Sequence, residues 1–344
     1  MRTIRLGKTD LAVSQLAFGG LFASSLGPGY EQSRDAVFKA IDLGINYFDT
    51  APAYANSEET LGRIIADVTT PIILSTKLGG RPVPFDPRHE QQLMDSVKES
   101  LRLLGREVID VLLVHEPDRP GQYDWWSDPQ TVYGPVIDVM DRLKTQGAIR
   151  FTGLGGTTTT EMAHRMSSQR FDVVLTAFNY SALFREATHE VLPTAHALGM
   201  GVVLGSVLQQ GCLGRRFDEV VRSKPAWLAR SRQQQFLALY DLLDQSGMSI
   251  VELGLRFAIS REVAHTVLIG PKTAAQVEQS VAAIEKGALP DDMLQRLDAI
   301  ASMVPQRPFE EPMILPFHRP HDYWGPGRAN TATGARVGAP SKRP

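Results

Sequence analysis

Four side chains within the first 115 residues have the types and spacing that proton transfer needs. Three apolar runs each end in an ionisable residue: 45–49 in Asp49, 72–77 in Lys77 and 111–115 in His115. Apolar strands seldom bury such groups without a partner, because desolvating a lone charge costs several kcal/mol or more. Asp49 and Lys77 carry opposite charges and can neutralise each other. Tyr54 follows Asp49 across Thr50, Ala51, Pro52 and Ala53, close enough in sequence to project from a loop over the same ends. A phenol with an ordinary pKa of about 10 is a poor acid at neutral pH, but a neighbouring ammonium favours phenolate and lowers that value. Asp49, Tyr54 and Lys77 thus form a proton-transfer unit, with His115 positioned to hold a substrate oxygen.

These groups can meet only if their runs are neighbouring strands that end on one face. From residue 15 onward, short β-branched or apolar runs alternate with segments of helical period, the pattern of βα units around a parallel sheet. Strand-like runs fall at 15–19, 45–49, 72–76, 109–114, 149–154, 172–177, 201–206 and 264–269. Amphipathic helices are expected at 31–43, 57–66, 90–104, 130–146, 160–166, 186–198 and 273–285, several with Ser, Thr or Asp near the start. Eight strands favour a (β/α)8 TIM barrel over a doubly wound sheet, and such barrels carry their active sites on the loops at the carboxyl ends of the strands. Residues 2–6 and 11–14, either side of Gly7-Lys-Thr-Asp10, read as an N-terminal β-hairpin that could plug the barrel floor. A long loop is expected after the seventh strand at 209–247, where Gly211, Gly214, Arg215 and Arg216 sit just beyond the strand end. One domain over 1–304 is followed by a Pro/Gly/Arg-rich tail, 305–344, that either wraps the barrel mouth or lacks structure.

Composition narrows the class of ligand. Apolar residues make up 43% and charged residues 22%, enough for a sizeable core and against wholesale disorder. Lys and Arg number 36 against 38 Asp and Glu, a net charge of −2, so no nucleic-acid partner is expected and the ligand should be small. The single cysteine, Cys212, allows no intrachain disulfide, and there is neither a signal-peptide stretch nor a run of 18 apolar residues. A soluble, cytoplasmic protein with no membrane association fits these facts.

In their local contexts Asp49, Tyr54, Lys77 and His115 resemble the catalytic tetrad of the aldo-keto reductase superfamily. The likeness spans roughly residues 2–300 and includes Leu6-Gly-Lys-Thr-Asp-Leu-Ala-Val-Ser14, Gly44-Ile-Asn-Tyr-Phe-Asp-Thr-Ala-Pro-Ala-Tyr54, Ser57-Glu-Glu-Thr-Leu-Gly62 and Ile269-Gly-Pro-Lys-Thr-Ala-Ala-Gln-Val-Glu278. In that family a reduced nicotinamide nucleotide delivers hydride to a carbonyl carbon while the tyrosine protonates its oxygen, and the reverse path oxidises an alcohol. The resemblance implies NADP as cofactor, with NAD as the alternative, and an aldehyde, ketone or aldose as substrate. It also implies a cofactor contact at Gly20 in the first loop.

Carried over residue by residue, the cofactor site departs from the family. After the fifth strand the usual Gly-x-Ser-Asn is Gly153-Leu-Gly-Gly156, so Gly155 and Gly156 lack the side chains that hold the nicotinamide amide. The usual glutamine of the sixth strand is Leu175, and the aromatic near the end of the seventh is Gly205. These departures are similar to the aldose-dehydrogenase branch that includes galactose and threo-aldose dehydrogenases. Thr176 and Asn179 are then the nearest polar substitutes, Asn179 being preferred. The resemblance places Ser206, Leu208, Gly211 and Arg215 over the pyrophosphate, with Arg215 as its charge partner, and assigns no role to Arg216. Lys272 and Thr273 occupy the positions that clamp a 2′-phosphate at a helix start, Gln276 stands where some relatives have arginine, and Gln279 and Ser280 replace a Glu-Asn pair at adenine.

Blander accounts exist for each residue alone. Asp49 could initiate a turn, Lys77 could be a solvated strand end, and His115 and Tyr54 could be ordinary packed side chains. Joint placement on adjacent strand ends favours catalysis. Gly153-Leu-Gly-Gly156 lacks the spacing of a dinucleotide fingerprint and reads as a tight turn, and Lys272-Thr273 alone could be a solvated helix start. Trp125 and Trp126 are either core filler or a substrate-facing wall behind His115. His318 and His321 have ligand-like spacing but no supporting acid or cysteine, so no metal is expected. Two rival functions remain in view: a nucleotide-binding regulatory subunit similar to potassium-channel β subunits, and a barrel hydrolase using Asp49 and Glu116 as a carboxylate pair.

Overall fold

Eight strands close on themselves. The computed structural model describes residues 1–81, 83–225 and 228–305. Its barrel strands are β3 (Leu16–Gly19), β4 (Tyr47–Asp49), β5 (Ile73–Leu78), β6 (Ile109–His115), β7 (Ile149–Gly156), β8 (Val173–Ala177), β9 (Gly201–Gly205) and β10 (Thr266–Ile269), each parallel to its neighbours, with β10 pairing back to β3. All eight sequence-derived runs are strands, which makes the fold a (β/α)8 TIM barrel. The tail beyond residue 305, with His318 and His321, lies outside the described residues.

Alternation along the strands divides the core in two. Ala17, Tyr47, Val111, Leu113, Val173, Leu175 and Val203 fill the barrel interior. Their neighbours, such as Phe48, Leu112, Val114, Leu154 and Val174, face the surrounding helices. Those helices include α1 (Tyr30–Asp42), α2 (Ser57–Ile65), α3 (Glu90–Leu104), α4 (Pro135–Thr145), α5 (Thr159–Met166) and α6 (Val191–Ala197). The helix expected at 130–146 starts later because Asp128 and Tyr133 bridge first and Pro135 opens the helical turn. The segment 186–198 divides into a 3₁₀ turn, Glu186–Thr188, and α6.

The hairpin expected at the N-terminus is present as β1 (Thr3–Arg5) against β2 (Ala12–Ser14). Its connecting residues reach the floor: Lys8 donates its amide to Gly199 O at 2.7 Å, and Leu6, Leu11 and Val13 join the interior cluster. Asn46 ties the plug to β4, accepting from Ser14 N at 2.7 Å through Oδ1 and donating to Ala12 O at 2.8 Å through Nδ2. Water is thereby excluded from the barrel's lower end.

The long loop expected at 209–247 is corrected by the structure, which folds most of it. A 3₁₀ turn, Gln209–Gly211, is followed by α7 (Asp218–Arg222) and α8 (Arg230–Ser246). The buried face of α8 includes Arg232, Gln233 and Gln235, which breaks the apolar period that would have revealed it. Gln235 Nε2 donates to Ile300 O at 2.8 Å, docking α8 on α11 (Asp291–Ser302). Helices α9 (Ile250–Ile259) and α10 (Ala274–Glu285) flank β10, with Ser249 capping α9 by accepting from Glu252 N. Among the described residues no helix is long and apolar enough to cross a membrane.

Removing the two Asn46 hydrogen bonds should loosen the plug. Asn46→Ala is expected to cost about 1–2 kcal/mol, at roughly 1 kcal/mol per net hydrogen bond, in urea denaturation. An unchanged midpoint would show that apolar contacts alone hold the hairpin.

Candidate active site

Parallel pairing puts the three residues at the carboxyl ends of adjacent strands in a rising stagger: Asp49 lies opposite Ser75, Lys77 opposite Leu113, and His115 opposite Gly155. Lys77 is 2% and Asp49 3% exposed, and Lys77 Nζ sits 2.5 Å from Asp49 Oδ1. The ammonium also donates to Thr50 O at 2.8 Å, and Ser75 Oγ donates to Asp49 Oδ2 at 2.9 Å. Every partner needed to keep this pair in a dry interior is therefore present. Both carboxylate oxygens of Asp49 are engaged, which argues against its use with Glu116 as a hydrolase pair.

Tyr54 is held above the pair by its own loop. Its amide donates to Ala51 O and its carbonyl accepts from Ser57 N, each at 3.0 Å, while Ser57 Oγ donates to Gly20 O at 2.7 Å. A Cβ at Gly20 would lie 2.9 Å from Asp49 O and 3.0 Å from Ser57 Oγ, so only glycine lets the first βα loop approach this closely. Lys77 Nζ lies 4.8 Å from the Tyr54 ring centroid, and the Tyr54 and His115 rings meet edge to face at 5.8 Å. The structure thus brings together all four residues singled out from the sequence.

Electrostatics assigns their charge states. Burial pulls the Lys77 ammonium downward, but Asp49 and Tyr54 outweigh it and the net direction is up, so Lys77 remains a cation. Burial pushes the Tyr54 phenol up, with Lys77 opposing it. The expected lowering by Lys77 is present but does not win, because the hydroxyl is desolvated. Burial, then Lys77 and Arg119, holds His115 well below its ordinary value, which leaves a neutral imidazole. Its Nδ1 is buried without a hydrogen-bond partner.

The opposite half of the mouth is built from small residues. A Cβ at Gly155 would make only ordinary contacts, 3.5 Å to Leu113 Cδ1 and 3.8 Å to Lys77 Cε, so the glycine leaves space beside the lysine. Gly205 ends β9 against Ala177 of β8. Gly156 has a different reason: a Cβ there would overlap Asp118 Oδ1 and Met162 Sδ. Asp118 accepts from Thr157 N at 2.9 Å and Thr158 N at 2.5 Å, capping α5 from the loop after β6. Sequence reasoning missed Asp118; its signal was an acid two residues from Glu116 in the turn after His115.

Several candidate contacts are placed differently from expectation. Trp125 is fully buried and donates Nε1–H to His115 O at 2.9 Å; Trp126 is 6% exposed and donates to Pro117 O at 2.8 Å. Both indoles brace the His115 loop and neither forms a substrate-facing wall, which corrects that expectation. Asn179 Nδ2 donates to Thr157 O at 2.7 Å and to Thr176 Oγ1 at 3.1 Å. Its two amide hydrogens are spent inside the protein, so Asn179 cannot supply the donor expected of it. Ser280 is buried with its hydroxyl donated to Gln276 O at 2.7 Å, which removes it as a free adenine contact.

Other groups are free to meet a nucleotide. Ser206, Leu208 and Gly211 form the turn after β9, Gln209 N donating to Ser206 O and Gly211 N to Leu208 O. Arg215 is exposed, with its guanidinium 4.8 Å from the Phe217 ring centroid, whereas Arg216 pairs with Asp218 and Asp244. Thr273 caps α10 by accepting from Gln276 N, and Gln276 Oε1 accepts from Lys272 N at 2.7 Å. Lys272 is exposed, its Nζ 4.4 Å from the Phe22 ring centroid. Among the described residues no group of three His, Cys, Asp or Glu side chains could hold a metal ion.

A closed βα barrel with a lysine–aspartate pair beneath a tyrosine and a histidine defines an oxidoreductase site. The profile of the Aldo/keto reductase family matches residues 16–302, and the chain belongs to that family. It is 29% identical to an L-galactose dehydrogenase of Arabidopsis thaliana over 315 residues, which covers 87% of this chain and 94% of that protein. A putative voltage-gated potassium channel subunit beta of Schizosaccharomyces pombe is 23% identical, with 87% of this chain and 93% of that one covered. Among solved structures, the holo form of aldo-keto reductase AKR11C1 from Bacillus halodurans superposes with a TM-score of 0.70 at 25% identity, covering 88% of this chain and 96% of that one.

Burial holds the Glu116 carboxyl at about 7 against an ordinary 4.5. Between those values the folded protein keeps a proton that the unfolded chain has released, so this residue subtracts stability as pH rises through the window. Glu116→Gln should therefore raise the thermal midpoint relative to wild type at pH 8 and lose most of that advantage at pH 4.5. A difference independent of pH would refute the assignment.

Proposed function

We propose that the protein transfers hydride between a nicotinamide nucleotide and the carbonyl or hydroxyl carbon of an aldehyde, ketone or aldose, with Tyr54 as general acid and base. The observation that carries this is Lys77, buried and held between Asp49 at 2.5 Å and the Tyr54 ring at 4.8 Å. A neutral Tyr54 is the form needed to protonate a carbonyl oxygen, and Lys77 stabilises the phenolate left behind. His115, uncharged, can orient that oxygen by a hydrogen bond without competing for the proton. In oxidation the same groups run in reverse.

The residues present fit a nicotinamide nucleotide. Gly155 leaves space for a flat ring beside Lys77, and the exposed Arg215 and Lys272, after β9 and before α10, supply cations for phosphates. When bound, that group supplies or accepts the hydride. Lys272, exposed at the start of α10, favours NADP over NAD because only NADP carries a 2′-phosphate. We further propose that residues 1–304 form one catalytic domain with 305–344 appended, and that the enzyme is cytoplasmic, in keeping with a sequence that holds a single cysteine. The L-galactose dehydrogenase relative supports an aldose among the substrates.

Tyr54→Phe should lower turnover by about 10²–10⁴, the usual contribution of general acid–base catalysis, while cofactor titration stays within twofold. Undiminished turnover would sink the role of Tyr54. A regulatory subunit predicts a different pattern, cofactor binding by the wild type with no turnover of any aldehyde, ketone or aldose in either direction. Lys272→Ala should weaken NADP binding by about tenfold, as expected for one charge-assisted contact, and leave NAD binding nearly unchanged. Equal losses for both would make Lys272 a structural residue only.

A further inference from the structure

The chemistry proposed above leaves Glu116 unused. It directly follows His115 at the end of β6, with φ 51° in the left-handed region that non-glycine residues rarely adopt. Its amide donates to Gly155 O at 2.7 Å, which pins the turn beside the open space left by that glycine. Its side chain is only 12% exposed, and Oε2 lies 3.0 Å from Arg119 Nε. Yet Arg119 directs Nε and Nη2 at Thr157 Oγ1, at 2.9 and 2.6 Å, and Oε2 has no hydrogen-bond partner. A buried carboxyl oxygen without a donor is costly unless something supplies one.

The surroundings select the donor. Lys77 and Arg119 bear on the Glu116 carboxyl as cations and Asp118 as an acid, while Glu116 in turn bears on Tyr54 and Tyr123. A cationic substrate group would face Lys77 and Arg119, and an anionic one would face Glu116 and Asp118. A hydroxyl suits both states of the carboxyl, donating to the carboxylate and accepting from the protonated acid.

We infer that Glu116 is a specificity residue that hydrogen-bonds a hydroxyl borne on the substrate chain next to the reacting carbon, so that polyhydroxylated carbonyl compounds are preferred to simple ones. This rests on the carbonyl–alcohol chemistry assigned to the site. A buried polar group left unpaired by a substrate that lacks the hydroxyl is a stronger discriminator than any fit of methylene groups.

Glyceraldehyde and propanal, equal in carbon number, provide the test. The ratio of their kcat/KM values should favour glyceraldehyde in the wild type and fall at least tenfold in Glu116→Leu, mainly through KM for glyceraldehyde. Glu116→Gln, close in shape and still able to donate and accept, should retain most of the ratio. A ratio in Glu116→Leu within twofold of wild type overturns the inference. Calorimetric titration of the NADPH-loaded protein with sorbitol provides a readout free of turnover: Glu116→Leu should weaken binding at least fivefold, and equal binding, or none by wild type, counts against Glu116. Failure of the wild type to turn over either aldehyde would overturn the carbonyl chemistry instead, and the sorbitol titration would still decide the role of Glu116.

Discussion

The buried ion pair between Lys77 and Asp49 is the constraint on which the rest of the site depends. Taking both charges out of water costs several kcal/mol per ion, and their attraction repays this only when the remaining lone pairs and protons are also satisfied. Ser75 of β5 and the carbonyl of Thr50, which directly follows β4, provide that satisfaction. The pairing therefore needs β4 and β5 in their observed register, where Asp49 lies opposite Ser75. It also needs a dry floor. The hairpin supplies this by pressing Leu6, Leu11 and Val13 against the lower interior layer that includes Tyr47 and Val111. A structural decoration at one end of the barrel thus sustains the electrostatics at the other.

From that pair outward the mouth is asymmetric. On the β4–β6 side the strand ends carry Asp49, Lys77 and His115; on the β7–β9 side they carry Gly155, Ala177 and Gly205. One half supplies charge and protons, and the other carries small residues, with room beside Lys77 at Gly155. The loop after β6 joins the halves: Trp125 and Trp126 donate to its carbonyls, Glu116 N donates to β7, and Asp118 caps α5 beyond β7. The stretch from His115 to Arg119 holds four ionisable side chains; burial first, and neighbouring charges second, hold His115 down and Glu116 up.

Much of this was legible in the sequence because it is local or periodic. Eight short apolar runs with helical spacers specify the barrel, and the run-ending positions of Asp49, Lys77 and His115 place them on its active face. What was not legible depends on partners far along the chain. Helix α8 hid behind Arg232, Gln233 and Gln235, whose burial makes sense only once Val221 and Ile300 offer their carbonyls. Asn179 looked like a free amide until Thr157 and Thr176 took its hydrogens. The indoles of Trp125 and Trp126 suited a substrate wall on composition alone, yet each had a backbone carbonyl waiting nine or ten residues upstream. The direction of the Tyr54 shift is a contest between burial and Lys77, and a sequence gives the charge without the depth.

The two sides of the mouth face different chemical demands. Proton transfer needs a group of fixed pKa at hydrogen-bond distance, so few residue types can replace Asp49, Tyr54, Lys77 or His115. Holding a flat polar ring in place is less demanding, since any backbone or side-chain donor and acceptor with the right spacing will serve. The half that gives room therefore tolerates more residue types than the half that moves protons. Gly156 is fixed by a neighbour. The space that a larger side chain would fill is taken by the Asp118 carboxylate, which spends one oxygen on the free amides opening α5. A side chain at 156 would overlap that carboxylate, so the glycine in β7 and the aspartate in the loop after β6 depend on each other.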